Sequence, residues 1–173
     1  VMTGIRRSGK SVMLELVKQE LLDSGVGAEQ FITLNFEDLR NAPLCRAEAL
    51  HAEILRRAAA IPGKAYLFFD EIQEVQEWEK CVNSLRVALD CDIYITGSNA
   101  KLLSGELATY LGGRYVAFVI YPFSFAEFLE LYRTIAPEAS GQQAFQKYLL
   151  AGGMPYLANL RYAEEPSRQY LMD

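Results

Sequence analysis

The stretch VMTGIRRSGKSVMLELV (residues 1–17) decides how the chain is read. Residues Gly4 to Ser11, GIRRSGKS, have the spacing GxxxxGK[ST]. They follow the end of a strand-like segment and open a helical one. The helical spacing runs from Lys10 to about Asp23, with Met13, Leu16, Val17 and Leu21 expected on the apolar face and Gly25 as the stop. A glycine loop in this setting turns successive backbone N–H groups into a concave nest, and the start of the helix adds the positive end of its dipole. Both features favour phosphate. Lys10 offers a flexible point charge for β- and γ-phosphates, and the Ser11 hydroxyl offers a ligand for Mg²⁺. The residues expected to hold a nucleotide here are Gly4, Ile5, Arg6, Arg7, Ser8, Gly9, Lys10, Ser11 and Val12. Arg6 and Arg7 have three open roles: charge over the phosphates, contact with a neighbouring subunit, or pairing with surface acids.

Working outward, extended and helical patterns alternate. FITLNF (31–36) reads as a strand, 47–60 as a helix ended by Pro62-Gly63, and AYLFF (65–69) as a strand apolar enough to be buried on both faces. Trp78, Val82, Leu85 and Leu89 keep helical spacing, DIYIT (92–96) is the next strand, 100–111 a short helix, and RYVAFVIYP (114–122) the last strand. Strands separated by helices imply a parallel sheet with right-handed crossovers, an α/β three-layer fold. After Pro122 the pattern becomes helical, so a P-loop core over 1–122 and a partial helical lid or linker over 123–173 are expected.

YLFFDEIQ puts Asp70 and Glu71 directly after the buried strand, at the edge where such sheets bind ligands. This is the Walker B arrangement: Asp70 for Mg²⁺ through water, Glu71 to polarise an attacking water. Two acids that merely cap the next helix are the plainer alternative. The next strand ends in Gly97-Ser98-Asn99, where either Ser98 or Asn99 is expected to face the γ-phosphate, or else to cap the following helix.

Composition narrows the classes. The 173 residues suit one domain with a partial second, and 51% hydrophobic content suffices for a core. A net charge of −5 argues against a surface generally coated with nucleic acid. No run is long enough to cross a bilayer, so no membrane partner is expected. Cys45, Cys81 and Cys91 lack CxxC spacing and read as reduced thiols of a cytoplasmic protein. His51 reads as surface or edge packing. The chain begins with Val1 and a strand stub, and is read as a piece of a longer protein.

The segments TGIRRSGKS, LFFDEIQ, ITGSNAKLLS, LGGRYVAFVIYPFSFAEF and AGGMP together resemble those of a family of prokaryotic AAA-type P-loop ATPases. In that family the chain usually continues into a C-terminal domain with a restriction-endonuclease-like look. The resemblance implies strand order 5-1-4-3-2, with ATP rather than GTP as the nucleotide. It implies that Arg114 is an arginine finger acting on a neighbouring subunit's nucleotide, hence a homo-oligomer; a structural ion pair is the alternative. It also implies that Asn35 restrains the catalytic glutamate, where a simple strand-end turn is the alternative. The leading expectation is Mg-ATP hydrolysis driving a conformational or assembly change, with Lys10, Glu71 and Arg114 as the catalytic set. A nucleotide-dependent switch and a DNA-associated loader are the alternatives, with the protein or DNA client left open. The aromatic segment YPFSFAEFLELY (121–132) is expected to be core, with a docking surface as its alternative.

Overall fold

The computed structural model describes residues 1–97 and 114–172. The expected helix over 100–111, Ser98 and Asn99 lie outside the described residues. The remaining chain divides into two units, each described by itself: residues 1–4 with 10–119, and residues 5–9 with 120–173.

The first unit is a five-stranded parallel sheet. Its strands are β1 (Met2–Thr3), β2 (Phe31–Asn35), β3 (Ala65–Asp70), β4 (Cys91–Gly97) and β5 (Phe118–Val119), in the order β2-β3-β4-β1-β5. This is the 5-1-4-3-2 order read from the other side. Among the described residues, the helices that connect strands are α1 (Lys10–Asp23), α2 (Ala47–Ala58) and α3 (Trp78–Ala88). The chain steps from β1 in one direction to β2, then back through β3 to β4. Right-handed crossovers therefore put α1 on one face and the mutually packed α2 and α3 on the other. The result is the three-layer αβα architecture.

β3 is the reason the sheet holds. Leu67, Phe68 and Phe69 are all but completely buried, as a strand covered on both faces requires. Leu50 and Ile54 of α2 and Val82 and Leu85 of α3 close one face over it. Each such side chain contributes roughly 1.5–3 kcal/mol on burial. His51 sits at the edge of this layer, its Nε2 3.0 Å from the Ser84 hydroxyl.

Two expectations need correcting. Helix α1 buries Lys10 and Leu14 and half-buries Val17 and Leu21, whereas Met13 and Leu16 are exposed. The phase is set by Lys10, whose ammonium turns inward; positions 14, 17 and 21 share its face. The last strand is also shorter than 114–122. Among the described residues β5 pairs with β1 alone, through Met2–Phe118 and Thr3–Val119, and β1 offers only two residues to ladder with.

The second unit is built on α4 (Phe125–Ile135), α5 (Gly141–Ala151) and α6 (Glu164–Met172). Capping boxes start α4 (Ser124 with Glu127) and α5 (Ser140 with Gln143), each satisfying two orphan N–H groups. The core is aromatic: Phe128, fully buried, lies 5.3 Å from the Tyr132 ring, 5.2 Å from Tyr148 and 5.0 Å from Tyr162. Phe125 adds a stacked contact to Phe128. Gly153 is required here, because a Cβ would fall 2.0 Å from the Phe123 carbonyl oxygen. Among the described residues, no helix is long and apolar enough to cross a membrane.

Candidate functional site

The loop from Gly4 to Lys10 joins β1 to α1. Gly9 has φ +100, a conformation side chains avoid, so the turn into α1 calls for glycine. Within the loop, the Ser8 N–H donates to the Ile5 carbonyl at 3.3 Å. Ile5, Arg6 and Arg7 are exposed, as are Ser11 and Val12 in the first turn of α1. Ser8 is 3% exposed, and its hydroxyl has no hydrogen-bond partner among the described residues. Arg7 holds a left-handed φ of 67°, and its Nη1 donates to the Tyr170 carbonyl of α6 at 2.7 Å, with the guanidinium 4.3 Å from the Tyr170 ring centre.

Lys10 is 4% exposed, and its Nζ donates to the Gly4 carbonyl at 3.3 Å. Burial pushes its pKa down, against the opposing pull of Glu71, Asp70 and Glu37. Its charge therefore costs free energy, which the Gly4 carbonyl and these acids offset in part and a bound anion would offset further.

Asp70 ends β3, and strands on both sides hold its carboxylate. Thr96 Oγ1, from β4, donates to Oδ1, and Asn35 Nδ2, from β2, donates to Oδ2 at 3.1 Å. The ladder brings these groups together, since Asn35 is the register partner of Asp70, and Phe69 that of Ile95. Thr96 also accepts the Glu71 N–H at 3.0 Å, so one fully buried hydroxyl ties both acids. Glu71 takes a left-handed φ of 54°, uncommon for a residue with a side chain, and Gln73 Nε2 donates to its Oε2.

The structure thus brings Lys10, Asp70 and Glu71 together at the carboxyl edge of the sheet. It does not bring Arg114 there: Arg114 is exposed, four residues before Phe118, at the amino edge of β5. It lines a cleft of about 540 Å³ with Arg86 and Asp92. The bond the structure gives Asn35 goes to Asp70, one residue short of the glutamate with which the resemblance pairs it. Asn35 also turns the chain, accepting the Glu37 N–H at 2.8 Å.

The sequence model of the family described as "AAA domain" matches residues 1–129. The chain belongs to that AAA family. It is 40% identical over 172 residues to an uncharacterized protein of Haemophilus influenzae, covering 99% of this chain and 42% of that protein. It is 37% identical over 164 residues to the uncharacterized protein MJ1544 of Methanocaldococcus jannaschii, covering 90% and 35%. The AAA chain therefore spans less than half the length of these relatives. Among solved structures, its fold is similar to AMPPCP-bound DnaA from Aquifex aeolicus (TM-score 0.59, 15% identity, 92% of this chain and 52% of that one). It is likewise similar to a P216G mutant of Thermotoga maritima RuvB (TM-score 0.62, 16% identity, 99% and 56%). At these identities the likeness concerns the fold, the parallel-sheet P-loop NTPase architecture of a nucleotide-binding AAA domain.

Two residues of this AAA site escaped the sequence reading. Thr96 was passed over as the last polar residue of a strand, although its place before Gly97 at a carboxyl edge was the available signal. Gln73 lies within the quoted DEIQ, but its bond to Glu71 depends on a backbone turn that spacing does not reveal.

Proposed function

We propose that this AAA domain binds ATP with Mg²⁺ and hydrolyses it, driving a conformational or assembly change in a longer, cytoplasmic protein. The observation that carries the reading is the buried Lys10 beside two acids tied through Thr96 at the end of β3. The residues fit the ligands. An orphaned Ser8 hydroxyl and a desolvated ammonium suit phosphate oxygens, and the hard oxygens of Ser11 and Asp70 suit Mg²⁺. When bound, the cation supplies charge neutralisation on the transferred phosphoryl group. Ser11 and Asp70 supply two hard oxygens, and a Mg²⁺ held there would complete its octahedron with water and phosphate oxygens.

In this reading the loop amides of Gly4 to Val12 cradle the phosphates, Lys10 compensates β- and γ-charge, and Glu71 accepts a proton from the attacking water. Ser98 or Asn99 contacts the γ-phosphate, and residues 123–173 form a lid or linker beside the 1–122 core. Arg114, at the far edge of the sheet, acts on the nucleotide of a neighbouring copy in a homo-oligomer.

The test uses the full-length protein with Mg²⁺ and ATP beside Glu71→Gln. Binding retained with turnover cut by roughly 10²-fold or more supports the reading. Turnover per chain that rises with protein concentration supports Arg114 in trans. Equal, negligible turnover in both proteins with ATP still bound leaves a nucleotide-dependent switch as the better description. Failure to bind ATP overturns both.

A further inference from the structure

Between Ile5 and Gly9 the backbone is left-handed twice, at Arg7 (φ 67) and at Gly9 (φ +100). Ile5 to Ser8 form a β-turn, closed by the Ser8 N–H on the Ile5 carbonyl, and Arg7 is its third residue. A turn with positive φ at that position favours glycine, as Gly9 supplies two residues later. Arginine there carries a backbone cost of the kind that persists only where the surroundings hold it.

What holds it is the helical unit, to which residues 5–9 belong. The Arg7 Nη1 donates to the Tyr170 carbonyl at 2.7 Å, and the guanidinium lies 4.3 Å from the Tyr170 ring centre. That carbonyl belongs to the last turn of α6, where the helix dipole favours a cation. The Tyr170 ring is itself stacked on Tyr156, 5.0 Å away, in the 3₁₀ turn Pro155–Ala158. Pro155 of the same turn lies against the other left-handed residue, its Cγ 3.8 Å from where a Gly9 side chain would begin. Both left-handed residues of the loop thus meet one surface, made by this turn and the end of α6. The bonds the structure gives Arg7 serve none of the three roles its sequence left open.

A phosphate loop works best when its N–H groups are aimed before the ligand arrives, because ordering them on binding costs affinity. Glycine at position 7 would permit this turn and many others. A clamped arginine fixes one.

We propose that Arg7 and Tyr170 are positioning residues: through them α6 holds the phosphate loop in its binding shape, so nucleotide affinity depends on α6. This deepens the ATP-binding reading and rests on it, and neither residue is required to touch the nucleotide. The coupling is reciprocal: a nucleotide that needs the held loop must also tighten α6.

The experiment measures binding of AMPPCP with Mg²⁺ to the full-length protein, by calorimetry and by hydrogen exchange in residues 164–172. Arg7→Gly keeps the turn without steric cost and drops the grip. Its Kd is expected to rise by roughly tenfold, the equivalent of one charge-assisted hydrogen bond. Tyr170→Leu keeps the carbonyl and removes the ring, and is expected to weaken binding by roughly twofold to fivefold. In the Arg7→Gly background the same substitution is expected to change nothing, which a folding defect in Tyr170→Leu would not reproduce. AMPPCP is expected to slow exchange in α6 of the wild type and to leave it unchanged in Arg7→Gly. If Arg7→Gly weakens binding and Tyr170→Leu does not, Arg7 meets the phosphates directly and the proposal is overturned. It is overturned equally if AMPPCP binds without slowing α6, or if every variant binds as the wild type does; the ATP reading then stands. A wild type that does not bind AMPPCP defeats that reading, and the proposal with it.

Discussion

Two lysines stand at opposite edges of the same sheet. Lys10 follows the carboxyl end of β1; it is buried, bonded to a carbonyl and faced by Asp70 and Glu71, and its pKa is pushed down by desolvation. Lys64 precedes the amino end of β3; it is solvated, pairs with Asp92 at 2.9 Å, and its pKa is raised, chiefly by that hydrogen bond. One side chain type thus carries opposite signs of perturbation. The amino edge holds charge as any surface does, with Arg86 and Arg114 also in solvent. The carboxyl edge keeps charge out of water, which does not help folding: an ionised group taken from water costs several kcal/mol unless bonds and partners offset it. A fold that places Lys10, Asp70 and Glu71 there, braced by Thr96 and Asn35, is organised around something that binds at that edge, and in parallel sheets ligands bind at the carboxyl ends of the strands.

The comparison breaks most visibly at Lys10. Lys10→Ala is expected to lower ATP turnover by roughly 10²–10³-fold, the cost of removing one preorganised charge from the site. Equilibrium ATP binding measured alongside should weaken as well. The pH dependence has a definite sign. Phosphate needs the charged ammonium, and burial lowers the folded-state pKa below the ordinary 10.5. Affinity should therefore begin to fall, as pH rises, before that value is reached. Nucleotide-free stability should move the other way, gaining as pH rises through the lowered pKa toward 10.5, because the penalty of a buried charge is relieved. A binding profile that stays level to 10.5 would contradict the edge contrast.

A smaller effect sharpens it. Thr96→Val keeps the shape of the side chain but strands Asp70 Oδ1 and the Glu71 N–H, both buried. About 1–3 kcal/mol of stability should be lost, read by denaturant unfolding, with Thr96→Ser recovering most of it. If Val is tolerated without loss, the two acids are not joined through this hydroxyl and the brace at the carboxyl edge is only apparent.

Much of this edge could be read in advance, because its parts are local. GIRRSGKS lies between a strand and a helix, and AYLFF announces a strand buried on both faces, which puts Asp70 and Glu71 at its end. Strand order 5-1-4-3-2 followed from the resemblance and is the order found. What escaped was relational. The phase of α1 turned on the inward ammonium of Lys10, which apolar spacing does not register, so Met13 and Leu16 were expected inside and lie outside. Thr96 and Asn35 meet Asp70 only through the register of three strands, and Gln73 meets Glu71 only through a left-handed turn. In the helical unit, S-x-x-E and S-x-x-Q at 124 and 140 were legible as capping boxes, but the need for Gly153 in AGGMP comes from the approach of the Phe123 backbone, which no local pattern carries.

The smallest effect belongs to the other lysine. The Lys64 and Asp92 side chains are 38% and 44% exposed, so their attraction is screened and partly cancelled by the entropy of holding two long chains together. Lys64→Met is expected to change stability by about 0–1 kcal/mol at neutral pH and to leave ATP binding untouched. Because the pair raises the Lys64 pKa, its contribution is fully present below the ordinary 10.5 and is lost only as pH rises through the higher folded value. The unfolding free energies of wild type and Lys64→Met should therefore run parallel through the neutral range and converge only above 10.5. The wild type, in contrast, should gain stability relative to Lys10→Met already below 10.5, as the buried ammonium loses its charge. If the two lysines gave the same profile, position in the sheet would matter less than residue type, and the burial of Lys10 would no longer point to a ligand.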